Sequence, residues 1–309
     1  MNTALRAALA AAIALPLAAP AAASTLVPIS PVYHQFGNGV SPAKALFQRI
    51  HAHRNAGKVS HFTFPYGLGI DGSGNVYVAD VDANRIEIIN PDYKVLSNAI
   101  TTGVSSPVSV ATDTYGDVYV GNVGNGGTVT KYNSNLSLVQ TITANTSSAY
   151  SIAVDQAQDL YLVTGSGLAV DDPYGNSISS DIFGGPELFS VAIGGPNVYT
   201  FFDATAAFGD TSVALRGLTL QYEDGPLFGV EPAGAACAAT QSLCWTTDAG
   251  NNALDEATLP GSSVAQGLGY EPVGIAYDPV RNRIYVADPV NKAVHVYTAT
   301  TLASLKTIT

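Results

Sequence analysis

The sequence predicts an all-β fold, a six-bladed β-propeller with a short N-terminal helix, and three observations predict it. The hexamer "NVYVAD" at 75–80 returns as "RIYVAD" at 283–288, and in that register one aromatic recurs as Tyr77, Tyr119, Tyr161, Tyr199, Trp245 and Tyr285. Its steps are 42, 42, 38, 46 and 40 residues, the spacing of a radially repeated four-stranded unit. Flanking letters recur with it: "PYGLGID", "PVSVATD", "AYSIAVD", "LFSVAIG", "PAGAACA" and "PVGIAYD". Finally, runs such as Val76-Tyr77-Val78 and Ile284-Tyr285-Val286 are apolar on both faces and bounded by Gly, Asn, Asp and Pro. A blade sandwiched between two neighbours needs such strands, whereas a β-sandwich needs strands with one wet face.

Residues 1–23 read as a signal peptide: Arg6 near the start, an apolar stretch broken by Pro16 and Pro20, and Ala21-Ala22-Ala23 before Ser24. Export to the periplasm or the extracellular medium is therefore expected, and no later run is long enough for a membrane span. Residues 24–60 form an N-terminal extension. Within it "SPAKALFQRIHAHRNAG" at 41–57 predicts a helix, with Ser41 as N-cap, Pro42 at the first position and Gly57 after the end. Ala43, Leu46, Phe47 and Ile50 share its apolar face. The following "KVSHFTF" is a candidate extra strand on the last blade, closing the ring.

Residues 61–309 carry the six units. In each, a turn such as "DGSGN" at 71–75 or "DTYGD" at 113–117 joins the first strand to the second. Third strands are expected at Arg85–Ile89, Val129–Tyr132 and Ala293–Tyr297, and fourth strands at Val95–Ile100, Leu138–Ile142 and Ser304–Ile308.

Charge narrows the partners. The 24 acidic residues all follow residue 70, against eight Lys and Arg from residue 61 onward, while Lys44, Arg49, Arg54 and Lys58 crowd the helix region. So negative a surface repels phosphate, which argues against nucleic acid and anionic membrane. Cys237 and Cys244 fit one disulfide in an oxidising compartment, across the hairpin of the Ala-rich fifth unit.

"PYGLGIDGSGNVYVADVDANRIEII" resembles the repeat of the NHL family at Pro65, Gly67, Asp71, Gly74, Asn75, Tyr77, Ala79, Asp80, Asn84, Arg85 and Ile86. The sixth unit is similar at Pro272, Gly274, Ile275, Ala276, Asp278, Tyr285, Ala287, Asp288 and Asn291, and the middle units match loosely. The resemblance implies a six-bladed propeller but no single function, because the family and its relatives include scaffolds, binding modules and a few enzymes. It also implies that inter-blade links and second-to-third strand loops share the ligand-binding face.

On that face Asp80, Asn122, Thr164, Asp203, Asp248 and Asp288 end the second strands, where Asp and Asn ordinarily cap turns. The residue before each first strand is Phe64, Ser106, Ser148, Glu187, Glu231 or Glu271. Three glutamates converging on the channel mouth repel one another unless a hard cation lies between them. The ordinary reading is three solvated rim carboxylates and no cofactor; calcium, with Asp248 or Asp288 adding oxygens, is the one candidate ion. "EDGPLF" at 223–228 is similar to a stretch of the gluconolactonase-like propellers, but it carries an extra Asp, lacks a Trp and lies in the wrong unit. His34, His51, His53, His61 and His295 do not form a zinc pattern, and no nucleophile motif appears.

The expected function is therefore a monomeric, exported, non-catalytic binding or protein-interaction module, taking a protein or small molecule at its acidic channel face. The alternative is a calcium-dependent hydrolase or lactonase of the gluconolactonase-like type.

Overall fold

The turn-bounded apolar runs become antiparallel strands collected in six sheets. The computed structural model describes residues 41–53, 59–124, 126–143, 149–164, 167–179, 188–194, 197–202, 211–213, 221–222, 231–239, 243–258 and 263–309. The first sheet holds Pro65–Ile70, Val76–Asp80 and Arg85–Ile89. The second holds Pro107–Thr112, Val118–Asn122, Thr128–Tyr132 and Leu138–Ile142. Ser151–Val154, Leu160–Val163, Leu168–Asp171 and Ser177–Ser179 make the third. Leu188–Gly194, Asn197–Phe202, Thr211–Val213 and Gln221–Tyr222 make the fourth. The fifth is Pro232–Cys237, Leu243–Asp248, Ala253–Thr258 and Ser263–Gly267. The sixth is Ile275–Asp278, Arg283–Asp288, Ala293–Thr298 and Ser304–Ile308.

The first strand of each sheet neighbours the first strand of the next, and Ile275–Asp278 returns to Pro65–Ile70. The arrangement is a β-propeller with one helix. The expectation of six four-stranded blades is corrected: five sheets are complete four-stranded blades, and the first has three strands. Its expected fourth strand, Val95–Ile100, makes only the isolated bridges Ile89↔Val95 and Ile86↔Ile100. Between those bridges five steps of chain oppose three, and the surplus residues break the ladder.

Register explains the repeated aromatic. Across the first two strands, Tyr77 pairs with Gly69, Tyr119 with Ala111, Tyr161 with Ala153, Tyr199 with Ala192, Trp245 with Ala236 and Tyr285 with Ala276. Each large residue thus stands beside a small one, and Tyr77, Tyr119, Tyr161, Trp245 and Tyr285 are buried. The Tyr199 side chain lies outside the described residues. In the first three sheets the tyrosine hydroxyl donates to the turn aspartate six residues earlier: Tyr77 to Asp71 (3.0 Å), Tyr119 to Asp113 (3.2 Å) and Tyr161 to Asp155 (3.2 Å). These bonds tie the hairpin turn to the strand core.

Around the axis the inner strands present small residues at one level: Gly67, Ser109, Ser151, Ser190, Gly234 and Gly274. Their size permits close approach. The Ser109 hydroxyl donates to the Ala149 carbonyl of the next sheet (3.0 Å), and Ser190 to that of Pro232 (3.2 Å). Gly274 N–H donates to the Tyr66 carbonyl at 3.0 Å, closing the ring. The expected extra closing strand is not there among the described residues. Instead, Phe62 and Phe64 enter the core, and Ser60 donates to the Lys292 carbonyl at 2.7 Å. The last sheet is already filled by its own Ser304–Ile308.

The helix, α1, spans Pro42–Ala52 with Ser41 as the expected N-cap position and His53 as C-cap, and residues 54–58, where its expected end falls, lie outside the described residues. Ser41 has the extended N-cap conformation, yet its side chain makes no capping bond. Burial of Ala43, Leu46 and Ile50 anchors α1 instead. Phe47 packs edge-on to Phe64 and Tyr66 and tilted against Tyr150.

Cys237 and Cys244 form the expected disulfide, opposite each other in the first hairpin of the fifth sheet. Among the described residues, no helix is long and apolar enough to cross a membrane.

Candidate functional site at the channel mouth

The inner strands enclose a narrow channel of about 50 Å³, lined by residues including Tyr66, Ser109, Tyr150 and Gly274. α1 lies at the end of this channel where the inner strands begin. Its apolar face is held by the Phe47 contacts, and this orientation brings Arg49 to the residues that precede two inner strands. One guanidinium nitrogen of Arg49 bonds a carboxylate oxygen of Glu231, and another bonds one of Glu271. The second oxygen of Glu271 meets His53 Nδ1 at 3.1 Å, and His51 Nε2 meets Asp82 at 2.7 Å. A planar fork with fixed charge suits such bidentate bridging better than a lysine would.

Of the site residues expected from sequence, Glu231 and Glu271 are thus brought together, from adjacent sheets, around an arginine. Glu187 lies outside the described residues, as does Asp203. Asp248 and Asp288 do not join the pair. They are buried and tie loops: Asp248 accepts from Asn251 N (3.0 Å) and Nδ2 (2.7 Å), and Asp288 from Asn291 N and Nδ2 (both 2.9 Å). Asp288 also meets His295 Nε2 at 3.1 Å. In the first two sheets the equivalent Asp80 and Asn122 hold instead the link before the inner strand, accepting from Phe64 N (2.7 Å) and Ser105 N (2.9 Å). Second-strand carboxylates and amides therefore fix either the link that enters an inner strand or the loop that follows the second strand. Among the described residues, no group of three or more His, Cys, Asp or Glu is placed to hold a metal ion.

Electrostatics beneath Arg49 favour neutral hydroxyls. Burial pushes the Tyr66 phenol well above its ordinary range, with the nearby Tyr150 adding to the shift and Arg49 opposing it. Burial also raises the Tyr150 phenol. At neutral pH both are hydrogen-bonding groups and not bases.

Sequence reasoning missed Arg49 as a site residue. Its partners are 182 and 222 positions away, so no local spacing marks the contact. The one available signal was compositional: an acid-free, basic helix preceding an acidic chain.

No protein-family model matches the chain, so membership of the NHL family is not shown, and no curated protein matches it. Among solved structures the chain is similar to a streptogramin B lyase, at 13% identity and a TM-score of 0.59, over 80% of this chain and 84% of that one. It is similar to virginiamycin B lyase from Staphylococcus aureus at 15% identity and 0.56, over 79% and 83% of the two chains. A gluconolactonase from Xanthomonas campestris aligns at 12% identity and 0.59, over 74% and 84%. Likeness at this identity establishes the propeller fold alone.

Proposed function

We propose that this chain is an exported, monomeric, non-catalytic binding module that receives a cationic group of a protein or small-molecule partner at its acidic channel mouth. One observation supports the reading: Glu231 and Glu271, presented by neighbouring inner strands, already grip a guanidinium, that of Arg49. Carboxylates so arranged accept a planar cation. The NHL-like first and last units are compatible with such a role.

The test is Arg49→Ala. The variant removes the guanidinium from both carboxylates and is expected to bind arginine amide or an arginine-bearing peptide roughly tenfold more tightly than the wild type, by calorimetry. Equal binding by the two proteins refutes the reading. The alternative, a calcium-dependent lactonase or hydrolase, requires an ion where the guanidinium now sits. Turnover of a lactone and ester panel, abolished by chelator and restored by calcium, would establish it in place of binding.

A further inference from the structure

A second site lies at the other end of the first inner strand, away from the channel mouth. There a cleft of about 440 Å³ opens between the first and second sheets, the size range of small-molecule sites. Its origin is the irregular edge of the first sheet. The residues extruded between the two isolated bridges include Leu96 and Asn98, which form one wall. The other wall comes from turns of the second sheet, with Tyr115, Ser134 and Leu136.

The lining has a definite chemistry. Leu96 and Leu136 pack against the buried cluster around Tyr77 and Ile88, giving an apolar floor. Tyr115 is 70% exposed, although its backbone is fixed by the bond from its N–H to Asp113 Oδ1 at 2.9 Å. An exposed ring on an anchored turn thus borders the cleft. Asn98 and Ser134, both exposed, contribute an amide and a hydroxyl from opposite walls. Asp71 is the one charged residue in the lining, and its oxygens are already engaged. Oδ1 accepts from the N–H groups of Ser73 and Asn75, and Oδ2 from Asn75 Nδ2 and Tyr77 OH. Arg281, which reaches the Ser73 carbonyl at 3.5 Å, is paired with Asp278 at 3.1 Å.

We infer that this cleft binds a neutral, polyhydroxylated ring, a saccharide unit. Its apolar C–H face lies on Tyr115 and the leucine floor, while its hydroxyls exchange hydrogen bonds with Asn98 and Ser134. A charged ligand finds no counter-ion there, and a wholly apolar one leaves the amide and hydroxyls unpaired at cost. The assignment is independent of the channel-mouth reading, since the two sites share no residue.

The experiment titrates the full chain with glucose, galactose, N-acetylglucosamine and cellobiose, read by saturation-transfer NMR and calorimetry. Glucose 6-phosphate serves as the charged comparison. At least one neutral sugar is expected to bind, with affinity falling roughly tenfold in Tyr115→Ala and in Asn98→Ala. Both positions are exposed, so melting temperatures should be unchanged. Tyr174→Ala removes an 80% exposed tyrosine from a comparable turn outside the cleft and should leave binding intact. The inference is overturned if no sugar binds, if Tyr115→Ala binds as the wild type does, or if Tyr174→Ala weakens binding equally. Tighter binding of the phosphorylated sugar than of glucose would overturn the neutral assignment.

Discussion

Gly274 is where the ring closes, and Gly274→Ala tests how tightly the inner strands are packed. A Cβ at this position would lie 2.0 Å from the Tyr66 carbonyl oxygen and 3.0 Å from both Gly67 Cα and Leu68 N. All three are backbone atoms, so no side chain can swing away. The strands would have to separate by more than an ångström, which also stretches the 3.0 Å bond from Gly274 N–H to that same carbonyl. Overpacking of this kind costs about 1–3 kcal/mol, and the weakened hydrogen bond adds about 1 kcal/mol. For a domain of this size that corresponds to a fall in melting temperature of roughly 5–15 °C. The assay is thermal unfolding followed by circular dichroism, with Gly72→Ala as control because a Cβ there meets nothing within 4 Å. If the two variants melt together, the close approach is not what joins the ends of the ring. Gly67→Ala should behave like Gly274→Ala, since its Cβ would lie 2.4 Å from the Val108 carbonyl oxygen. The double variant should cost less than the sum, because the two sites touch.

Reduction of the disulfide, or Cys237→Ser with Cys244→Ser, should destabilise the protein by about 2–3 kcal/mol, the closure entropy of so short a loop. Pro232–Cys237 is mostly half-buried and Ala-rich, so little packing is available to compensate, and an unchanged melting temperature under reductant would show the bridge to be dispensable. Asp80→Asn should remove a pH dependence. Burial raises the Asp80 carboxyl above its ordinary value of 3.8, against the opposing bonds from Phe64 and Thr63 N–H and the charge of Arg85. A raised folded pKa means that the folded state holds its proton more tightly. Asp80 therefore loses the wild type stability as pH climbs from the ordinary carboxylate range through the raised value. The amide keeps an acceptor for the same N–H groups, as Asn122 does in the second sheet. Denaturant unfolding should show Asp80→Asn gaining on the wild type with rising pH; a constant difference would refute the shift.

The propeller was legible because its cause is local and repeated. An aromatic residue facing a Gly or Ala, with a turn aspartate six positions before the tyrosine in the first three sheets, leaves the same letters each time. The axial ring of small residues was equally available, as the third letter of "PYG", "PVS", "AYS", "LFS", "PAG" and "PVG", but its meaning depends on contacts between sheets. The disulfide could be read because both cysteines sit on one hairpin. Arg49 could not, because α1 declares its buried face through apolar periodicity while its polar face is chosen by carboxylates far along the chain. Hence the sequence placed three glutamates at the channel mouth, as rim carboxylates or around an ion, without showing that Glu231 and Glu271 would meet an arginine.

The first sheet shows a different limit. Val95–Ile100 has the letters of a strand, and both its ends do bridge to Arg85–Ile89. What fails is the count between them, because two surplus residues exceed the single extra residue of an ordinary bulge and disrupt the ladder locally. Leu96 N–H still reaches the Ile88 carbonyl at 2.7 Å, so the segment stays attached while Asn98 turns outward. Residue counting thus converts a potential fourth strand into a cleft wall. Removing the surplus, by deleting Ser97 and Asn98, should restore the ladder and close the cleft. The same deletion should raise stability and abolish saccharide binding together, which is the relation expected if one irregularity serves as both a defect in the sheet and the origin of the site.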